Sequence, residues 1–165
     1  MERKMRRFRQ ELSENESLGI LKKGRVAVIA VSGDEGYPYA IPLNYVYDSG
    51  CIYLHSAPQG HKIDALKRNS KCSLCIIDKD DIIPEKFTSH FRSVIAFGKA
   101  EFITTEEDKI KALRLLCEKY SPGLNPSDEI NKSIKAVTII RIRLERITGK
   151  EAIELVRRRE SNVTY

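Results

Sequence analysis

The chain has 165 residues and a formal net charge of +6, and 41% of its residues are apolar and 32% charged. A single domain of this length, spanning 1–165, can bury enough apolar surface to fold without a disulfide or a metal ion. The longest apolar runs, such as residues 26–31, are far too short to cross a bilayer, which excludes a transmembrane protein, and the basic first residues lack the apolar core of a secretory signal, so a cytoplasmic protein is expected.

A short helix and three strands are predicted first. Ser13 and Glu16 fit a capping box, which predicts a helix that ends at Gly24. Apolar runs and alternation predict strands over 25–31, 37–47 and 51–56, and the turns between them predict a three-stranded meander. Because Pro42 has no N–H group for a ladder hydrogen bond, the second strand is expected at a sheet edge or with a bulge.

Two helices and three further strands are predicted in the rest of the chain. Helices are predicted over 61–69 and from a cap at Thr104 or Thr105 to Pro122, and strands over 72–78, 90–103 and 135–148. A polar connection is expected over 79–89, a bend or bulge at Gly98, and one or two helical turns in the tail 149–165. About six strands joined mostly by turns predict a mainly β fold, an antiparallel barrel with two or three added helices.

Basic residues concentrate at the chain ends. The first ten residues hold five basic side chains against one acid, and the triplet 157–159 is offset by nearby glutamates. A nucleic-acid-binding module would place its basic residues on a folded face. The arm 1–10 is therefore interpreted as a solvated or partner-docking segment, and neither a nucleic acid nor a membrane is expected as a partner.

The four cysteines are Cys51, Cys72, Cys75 and Cys117. Cys72 and Cys75 have the spacing of a redox or zinc motif, but they fall on a predicted strand, where residues three apart face opposite sides. Neither a second cysteine pair nor a histidine cluster completes a zinc site. We interpret these cysteines as small hydrophobic residues and expect no metal.

Residues 52–66 contain the outline of an anion site. Ser56 ends a predicted strand, a loop with Gly60 follows, and Lys62 lies in the first turn of a predicted helix. Helix N-termini offer free N–H groups and a positive dipole to a phosphate. The alternative is that Ser56 caps a loop and Lys62 is a solvated helix residue. The chain lacks the dinucleotide fingerprint, the P-loop and the nucleophile elbow of hydrolases.

Four stretches of sequence extend this observation. They read GRVA at 24–27, YAIPLNY at 39–45, HSAPQGHKID at 55–64 and FRSVIAFG at 91–98. Their order and spacing resemble the split-barrel flavin-binding proteins related to pyridoxamine 5'-phosphate oxidase, and within these the 5-nitroimidazole-resistance (Nim-type) branch. The resemblance covers roughly residues 1–150 and implies an antiparallel split β-barrel of the FMN-binding type.

In that family FMN lies in a groove between the barrels of a homodimer, and the resemblance implies the same cofactor and assembly here. Ser56 and Lys62 would hold the phosphate, helped by Arg92 and Ser93. The other implied cofactor contacts are Pro42, Leu43, Asn44 and Tyr45 along the flavin ring, with His55, Ala57, Gly60, Ile63 and Val94. His55 would also act near the reactive face, because histidine can deliver a proton at neutral pH; a structural histidine is the alternative.

The resemblance implies an FMN-dependent oxidoreductase with a small-molecule substrate, such as a reductase of the nitro group of nitroimidazoles. Vitamin B6 oxidation does not follow, because the chain has no Trp and its tail 149–165 lacks the Arg-, Ser- and Trp-bearing segment of the true oxidase. Several alternatives stay open: a general flavin reductase, a non-catalytic flavin- or haem-binding module, and the same barrel with deazaflavin or haem.

Overall fold

The computed structural model describes residues 4–162. Within these residues the chain forms seven strands: β1 Val26–Ser32, β2 Pro38–Asn44, β3 Val46–Asp48, β4 Cys51–Ser56, β5 Lys71–Ile83, β6 Thr88–Ile103 and β7 Thr138–Glu151. The same residues form five α-helices: α1 Glu14–Lys23, α2 His61–Arg68, α3 Glu106–Tyr120, α4 Ser127–Ser133 and α5 Ile153–Asn162.

All seven strands belong to one antiparallel sheet with the order β2-β1-β5-β6-β7-β4-β3. The consecutive strands β2 and β3 lie at opposite edges of this sheet, so the barrel is not closed by a pair between them. This arrangement confirms the predicted mainly β split barrel. The predicted meander is wrong, because β2 pairs with β1 and β3 pairs with β4, and the chain passes from one hairpin to the other at Tyr45.

Local side-chain chemistry accounts for the elements that were predicted correctly. Ser13 and Glu16 form both hydrogen bonds of a capping box at α1, and the Thr105 hydroxyl accepts a hydrogen bond from the Asp108 N–H at α3. Pro42 lies on β2, an edge strand, as its missing N–H predicts. Cys72 and Cys75 lie on β5 with free thiols, and burial raises the pKa of the Cys72 thiol to about 12.

The predicted bulge at Gly98 is also confirmed. Phe97 pairs with Arg146 of β7 but Gly98 pairs with Leu144, so Glu145 is the extra residue. A Cβ atom at position 98 would overlap the carbonyl oxygen of Arg143. Glycine is therefore required here by the close approach of the β7 backbone.

The connection after β5, helix α4 and the length of the tail helix differ from the predictions. The polar connection expected over 79–89 is largely strand, because β5 continues to Ile83, a short 3₁₀ turn spans Pro84–Lys86, and β6 begins at Thr88. The two strands pair as far as Ile83 and Thr88, so cross-strand hydrogen bonds override the polar composition. Helix α4 was not predicted, and the tail forms the ten-residue helix α5 rather than one or two turns.

The core fills the inside of the barrel and extends beneath two helices. Its centre contains fully buried side chains from β1, β4, β5, β6 and β7, among them Ile29, Leu54, Leu74, Val94 and Ile142. A second cluster packs α3 and α4 against β7 through Leu113, Ile130 and Ile139. Within residues 4–162, no helix has the length and apolar character that a membrane span needs.

Candidate functional site

Part of the predicted flavin-ring site comes together at the free edge of β2. Pro42, Leu43 and Asn44 line a cavity of about 250 Å³ with Val26 and His55. His55 reaches this cavity from β4, which lies on the other side of the sheet order. The split between the two edges of the barrel therefore brings the ring-side residues and the expected proton donor to one opening.

The side chain of Asn44 is held by a hydrogen bond to the backbone just before β1. Its amide nitrogen donates a hydrogen bond to the Arg25 carbonyl oxygen at 3.0 Å. The side-chain oxygen of Asn44 accepts no hydrogen bond from residues 4–162, so it remains a free acceptor at the exposed edge. An edge strand with free backbone groups and this acceptor can recognise a flat, polar-edged ring.

Tyr45 has a structural part in this region. It is fully buried, its hydroxyl donates to the Leu21 carbonyl oxygen at 2.7 Å, and burial raises the pKa of its phenol well above the usual range. The ammonium of Lys119 lies 4.0 Å from the centre of the Tyr45 ring and donates to the Gly24 carbonyl oxygen at 2.5 Å. The Tyr45 side chain therefore points into the core, and sequence patterns gave no signal for its contact with Lys119.

The expected phosphate residues differ in burial. Ser56 is 6% exposed, and its hydroxyl oxygen is buried without a hydrogen-bond partner. Lys62 is half-buried, forms no ion pair within the described part of the chain, and its pKa is lowered by burial. A buried hydroxyl and a half-buried ammonium are both costly without a partner, and each is a group that binds anions. The residues present therefore fit a phosphate group.

The start of α2 is shaped to leave its first N–H groups open. Gly60 precedes the helix with φ 124°, a conformation that glycine adopts without strain, and no side chain caps the helix. Ala57 lies exposed in the loop before it, whereas Ile63 is 1% exposed and anchors the helix in the core. This combination points the free end of a firmly packed helix toward solvent.

A clamp that the sequence did not indicate holds this helix end. The His61 ring stacks on Tyr39 with centroids 4.0 Å apart, and its Nε2 lies 3.3 Å from the Asp34 carboxylate. Asp34 also binds Arg68, at the other end of α2, at 2.6 Å. Residues 34, 39 and 61 are too far apart in sequence for any local pattern to indicate this cluster.

Arg92 and Ser93, the other predicted phosphate residues, lie on β6. Arg92 pairs with Glu151 across β6 and β7, with its guanidinium 2.9 Å from that carboxylate and 3.9 Å from Asp78. Its Nε is buried without a hydrogen-bond partner, and Val94 is buried in the core. Glu151, fully buried, also lies 2.9 Å from Arg159 of α5. Arg92 is therefore held by acids of its own chain.

The strand register separates Ser56 from Arg92. Ser56 pairs with Thr138 at the first residue of β7, and Arg92 pairs with Glu151 at the last. The thirteen residue steps from 138 to 151 measure at most roughly 43 Å along the strand. One chain therefore brings Asn44 and His55 to a common cavity, but places Arg92 and Ser93 at the other end of β7 from Ser56.

A larger cavity, of about 400 Å³, adjoins the ring-side opening and shares Asn44 and His55 with it. Helices α3 and α4 form its far walls. Because α4 was not predicted, sequence patterns gave no indication of this cavity.

Comparison with known proteins identifies the family of the chain. A family model described as pyridoxamine 5'-phosphate oxidase matches residues 13–151. Among solved structures, a candidate 5-nitroimidazole antibiotic resistance protein from Bacteroides thetaiotaomicron is 26% identical, with a TM-score of 0.73 and 86% of each chain covered. An FAD-binding protein from Mesorhizobium loti is 25% identical, with a TM-score of 0.66 over 86% of this chain and 96% of that one. No curated protein matches the sequence.

A more distant structure shares the fold. The flavocytochrome from Azotobacter vinelandii is 22% identical, with a TM-score of 0.76 over 90% of this chain and 72% of that one. The family match begins at the N-cap of α1 and ends at the last residue of β7, so it includes every strand of the barrel. By sequence and by strand arrangement, the chain belongs to the pyridoxamine 5'-phosphate oxidase family.

Proposed function

We propose that the protein is an FMN-dependent oxidoreductase with a small-molecule substrate, and that reduction of the nitro group of a nitroimidazole is the first activity to test. The observation that carries this proposal is the buried, unpartnered hydroxyl of Ser56, followed in the chain by the unpaired Lys62. The description of the Mesorhizobium loti relative as FAD-binding supports a flavin, and that of the Bacteroides relative supports the substrate.

Each residue has a part in this proposal. Ser56, Lys62 and the first N–H groups of α2 would hold the phosphate, and the edge of β2 beside Asn44 would border the ring. When bound, FMN supplies the electron-transfer chemistry, while the chain binds it and positions the acceptor. His55 lines both cavities at this edge, where it would deliver a proton to the reduced acceptor.

The site would be completed by a second copy of the chain. Arg92 and Ser93 lie at the other end of β7 from Ser56, so a single chain does not bring all the proposed phosphate residues together. A homodimer with FMN between two barrels would place the Arg92 group of one copy beside the Ser56 group of the other. Arg92 has to divide its hydrogen bonds between Glu151 and the phosphate in that arrangement.

The first experiment identifies the chromophore. The absorption spectrum of the purified protein is recorded, and the compound released on denaturation is identified by mass, while light scattering gives the oligomeric mass. FMN and a dimer are expected. Haem, deazaflavin, or a colourless protein that fails to bind added FMN would overturn the cofactor assignment.

Lys62→Ala tests the phosphate residues, with Lys67→Ala on the exposed last turn of α2 as its control. Loss of the ammonium should weaken FMN binding at least tenfold in the first variant and leave it unchanged in the second. Full flavin occupancy in Lys62→Ala would contradict the phosphate assignment. Anaerobic assays with nicotinamide donors then separate a nitroreductase, which reduces nitroimidazoles, from a general flavin reductase, which turns over only added flavin.

A further inference from the structure

The cavity of about 400 Å³ between α3, α4 and β4 has mainly apolar walls. They consist of Leu113, Leu116 and Cys117 from α3, Ile130 from α4, and Val137 just before β7. Pockets of this size and character bind small molecules with a few polar groups to orient them. The volume suits a single planar ring system with short substituents.

The cavity opens where the flavin ring is proposed to lie. Asn44 and His55 line both this cavity and the smaller one along β2. A ligand inside it would therefore contact the two side chains that border the proposed ring. This continuity marks the cavity as the place for the electron acceptor or donor.

Several hydrogen-bond donors at the cavity are already used within the chain. The Tyr120 hydroxyl has one proton, for the carbonyl oxygen of either Arg25 or Tyr45. The Ser133 hydroxyl donates to the Glu129 carbonyl oxygen at 2.8 Å, and one N–H of the Asn44 amide donates to the Arg25 carbonyl oxygen. The Asn44 side-chain oxygen and the Glu129 carboxylate remain as acceptors, the second Asn44 N–H remains as a donor, and His55 and Ser121 can donate or accept. The lining therefore favours ligands that bring their own N–H donors.

The charge of the lining points the same way. Of the residues that line the cavity, Glu129 is an acid and none is Lys or Arg. A carboxylate or phosphate ligand would face the Glu129 carboxylate without a compensating Lys or Arg, whereas a protonated nitrogen base would gain a charge-assisted hydrogen bond. Anionic substrates are disfavoured at this place.

We infer that this cavity binds a planar nitrogen base, neutral or positively charged, that presents N–H donors to Asn44 and Glu129. The inference rests on the proposed function in one respect, which is that the bound base lies beside the flavin. The size, apolar walls and acceptor groups of the cavity stand without it.

Three ligands of the same shape test the inference. Benzamidine, benzamide and benzoate carry charges of +1, 0 and −1 on one phenyl framework, and their binding to the purified protein saturated with FMN is measured by calorimetry. We expect benzamidine to bind most tightly, benzamide less so, and benzoate at least about tenfold more weakly than benzamidine. Equal affinities, or no measurable binding of benzamidine and benzamide, would overturn the inference.

Two variants locate the binding site. Glu129→Gln should remove the advantage of benzamidine over benzamide and leave benzamide affinity unchanged, and Glu118→Gln, on the exposed face of α3, should change neither.

Cys117→Phe should fill the cavity and weaken benzamidine and benzamide more than tenfold. Val137→Leu is the milder filling variant if the thermal unfolding of Cys117→Phe shows a folding defect. Unchanged affinities in these variants would place the ligands elsewhere.

Flavin content separates the two proposals. It is measured by visible absorption in every variant, and none of the substitutions should change it. If the protein binds no flavin but orders the three ligands as expected in the cavity, the proposed function fails and the pocket stands. If flavin binds and accepts electrons but the ligands ignore Glu129→Gln and Cys117→Phe, the pocket fails and the proposed function stands.

Discussion

The phenolic oxygen of Tyr120, at the end of α3, lies 2.8 Å from the backbone nitrogen of Tyr45 and 2.7 Å from its carbonyl oxygen. Tyr45 is the single residue between β2 and β3, where the chain leaves one edge of the sheet for the other. The side chain of Tyr120 thus supplies the hydrogen bonds that a neighbouring strand would otherwise provide. Helix α3 is therefore bonded to the chain at the point where it passes from β2 to β3.

Replacing Tyr120 with Phe should destabilise the fold by about 1–3 kcal/mol, because backbone groups of the buried Tyr45 lose their partner. The free energy of unfolding in urea measures this loss. Tyr37→Phe is the matched control, since Tyr37 is 73% exposed and should tolerate the change. Equal stability of the two variants would show that water replaces the Tyr120 hydroxyl.

Ser56→Ala should separate stability from cofactor binding. Without a ligand, removal of the buried, unpartnered hydroxyl should leave the free energy of unfolding unchanged or raise it by up to about 1 kcal/mol. FMN affinity should fall about tenfold, because a hydrogen bond to the phosphate is lost. Ser73→Ala, on β5, should leave affinity as it is. A destabilised apo protein with normal FMN affinity would assign Ser56 a structural part alone.

Gly98→Ala should destabilise the protein by about 1–3 kcal/mol, because the added methyl group overlaps the Arg143 backbone. The control is Gly19→Ala in α1, where a Cβ atom meets nothing within 4 Å. Since alanine is the better helix former, that change should stabilise the protein by roughly 0.5–1 kcal/mol. Chemical denaturation of the pair tests both signs, and a harmless Gly98→Ala would contradict the close contact at the bulge.

Lys119 should make stability depend on pH in the alkaline range. Burial lowers its pKa from 10.5 to about 8, so between these two values the unfolded chain binds more protons than the folded protein. Its contribution to stability is therefore lowest below pH 8 and rises as the pH approaches 10.5. Unfolding in urea at pH 7.5 and 9.5 should show wild type gaining stability relative to Lys119→Met, whereas the exposed Lys111→Met should follow wild type. A constant difference would contradict the shift.

Local chemistry explains what the sequence could predict. The capping box at Ser13, the edge position of Pro42 and the bulge at Gly98 each follow from one residue and its immediate neighbours. The break at Tyr45 could not be seen, because the alternation of Tyr39, Ile41, Leu43 and Tyr45 continues through it unchanged. The group that bonds the Tyr45 backbone at this break, the hydroxyl of Tyr120, is 75 residues away.

The same limit applies to the site. Ser56, Gly60 and Lys62 lie within one strand, loop and helix start, so their arrangement could be predicted from spacing. The pairing of Arg92 with Glu151 and the large cavity depend on the register of β7 and on α4, which no short pattern encodes. The acidic residues within 79–83 gave this segment the composition of a loop. It is a strand because it pairs with β6.

The pairing of β4 with β7 determines when this part of the sheet can fold during synthesis. His55 lies opposite Ile139, 84 positions later, so the wall that carries His55 cannot be assembled until β7 has been synthesised. The hairpins β1–β2 and β5–β6 involve nearer partners and can form earlier on the ribosome. A flavin that contacts His55, as proposed, could therefore bind only after β7 has been made. Its binding would stabilise the whole barrel against unfolding and leave the nascent hairpins without help.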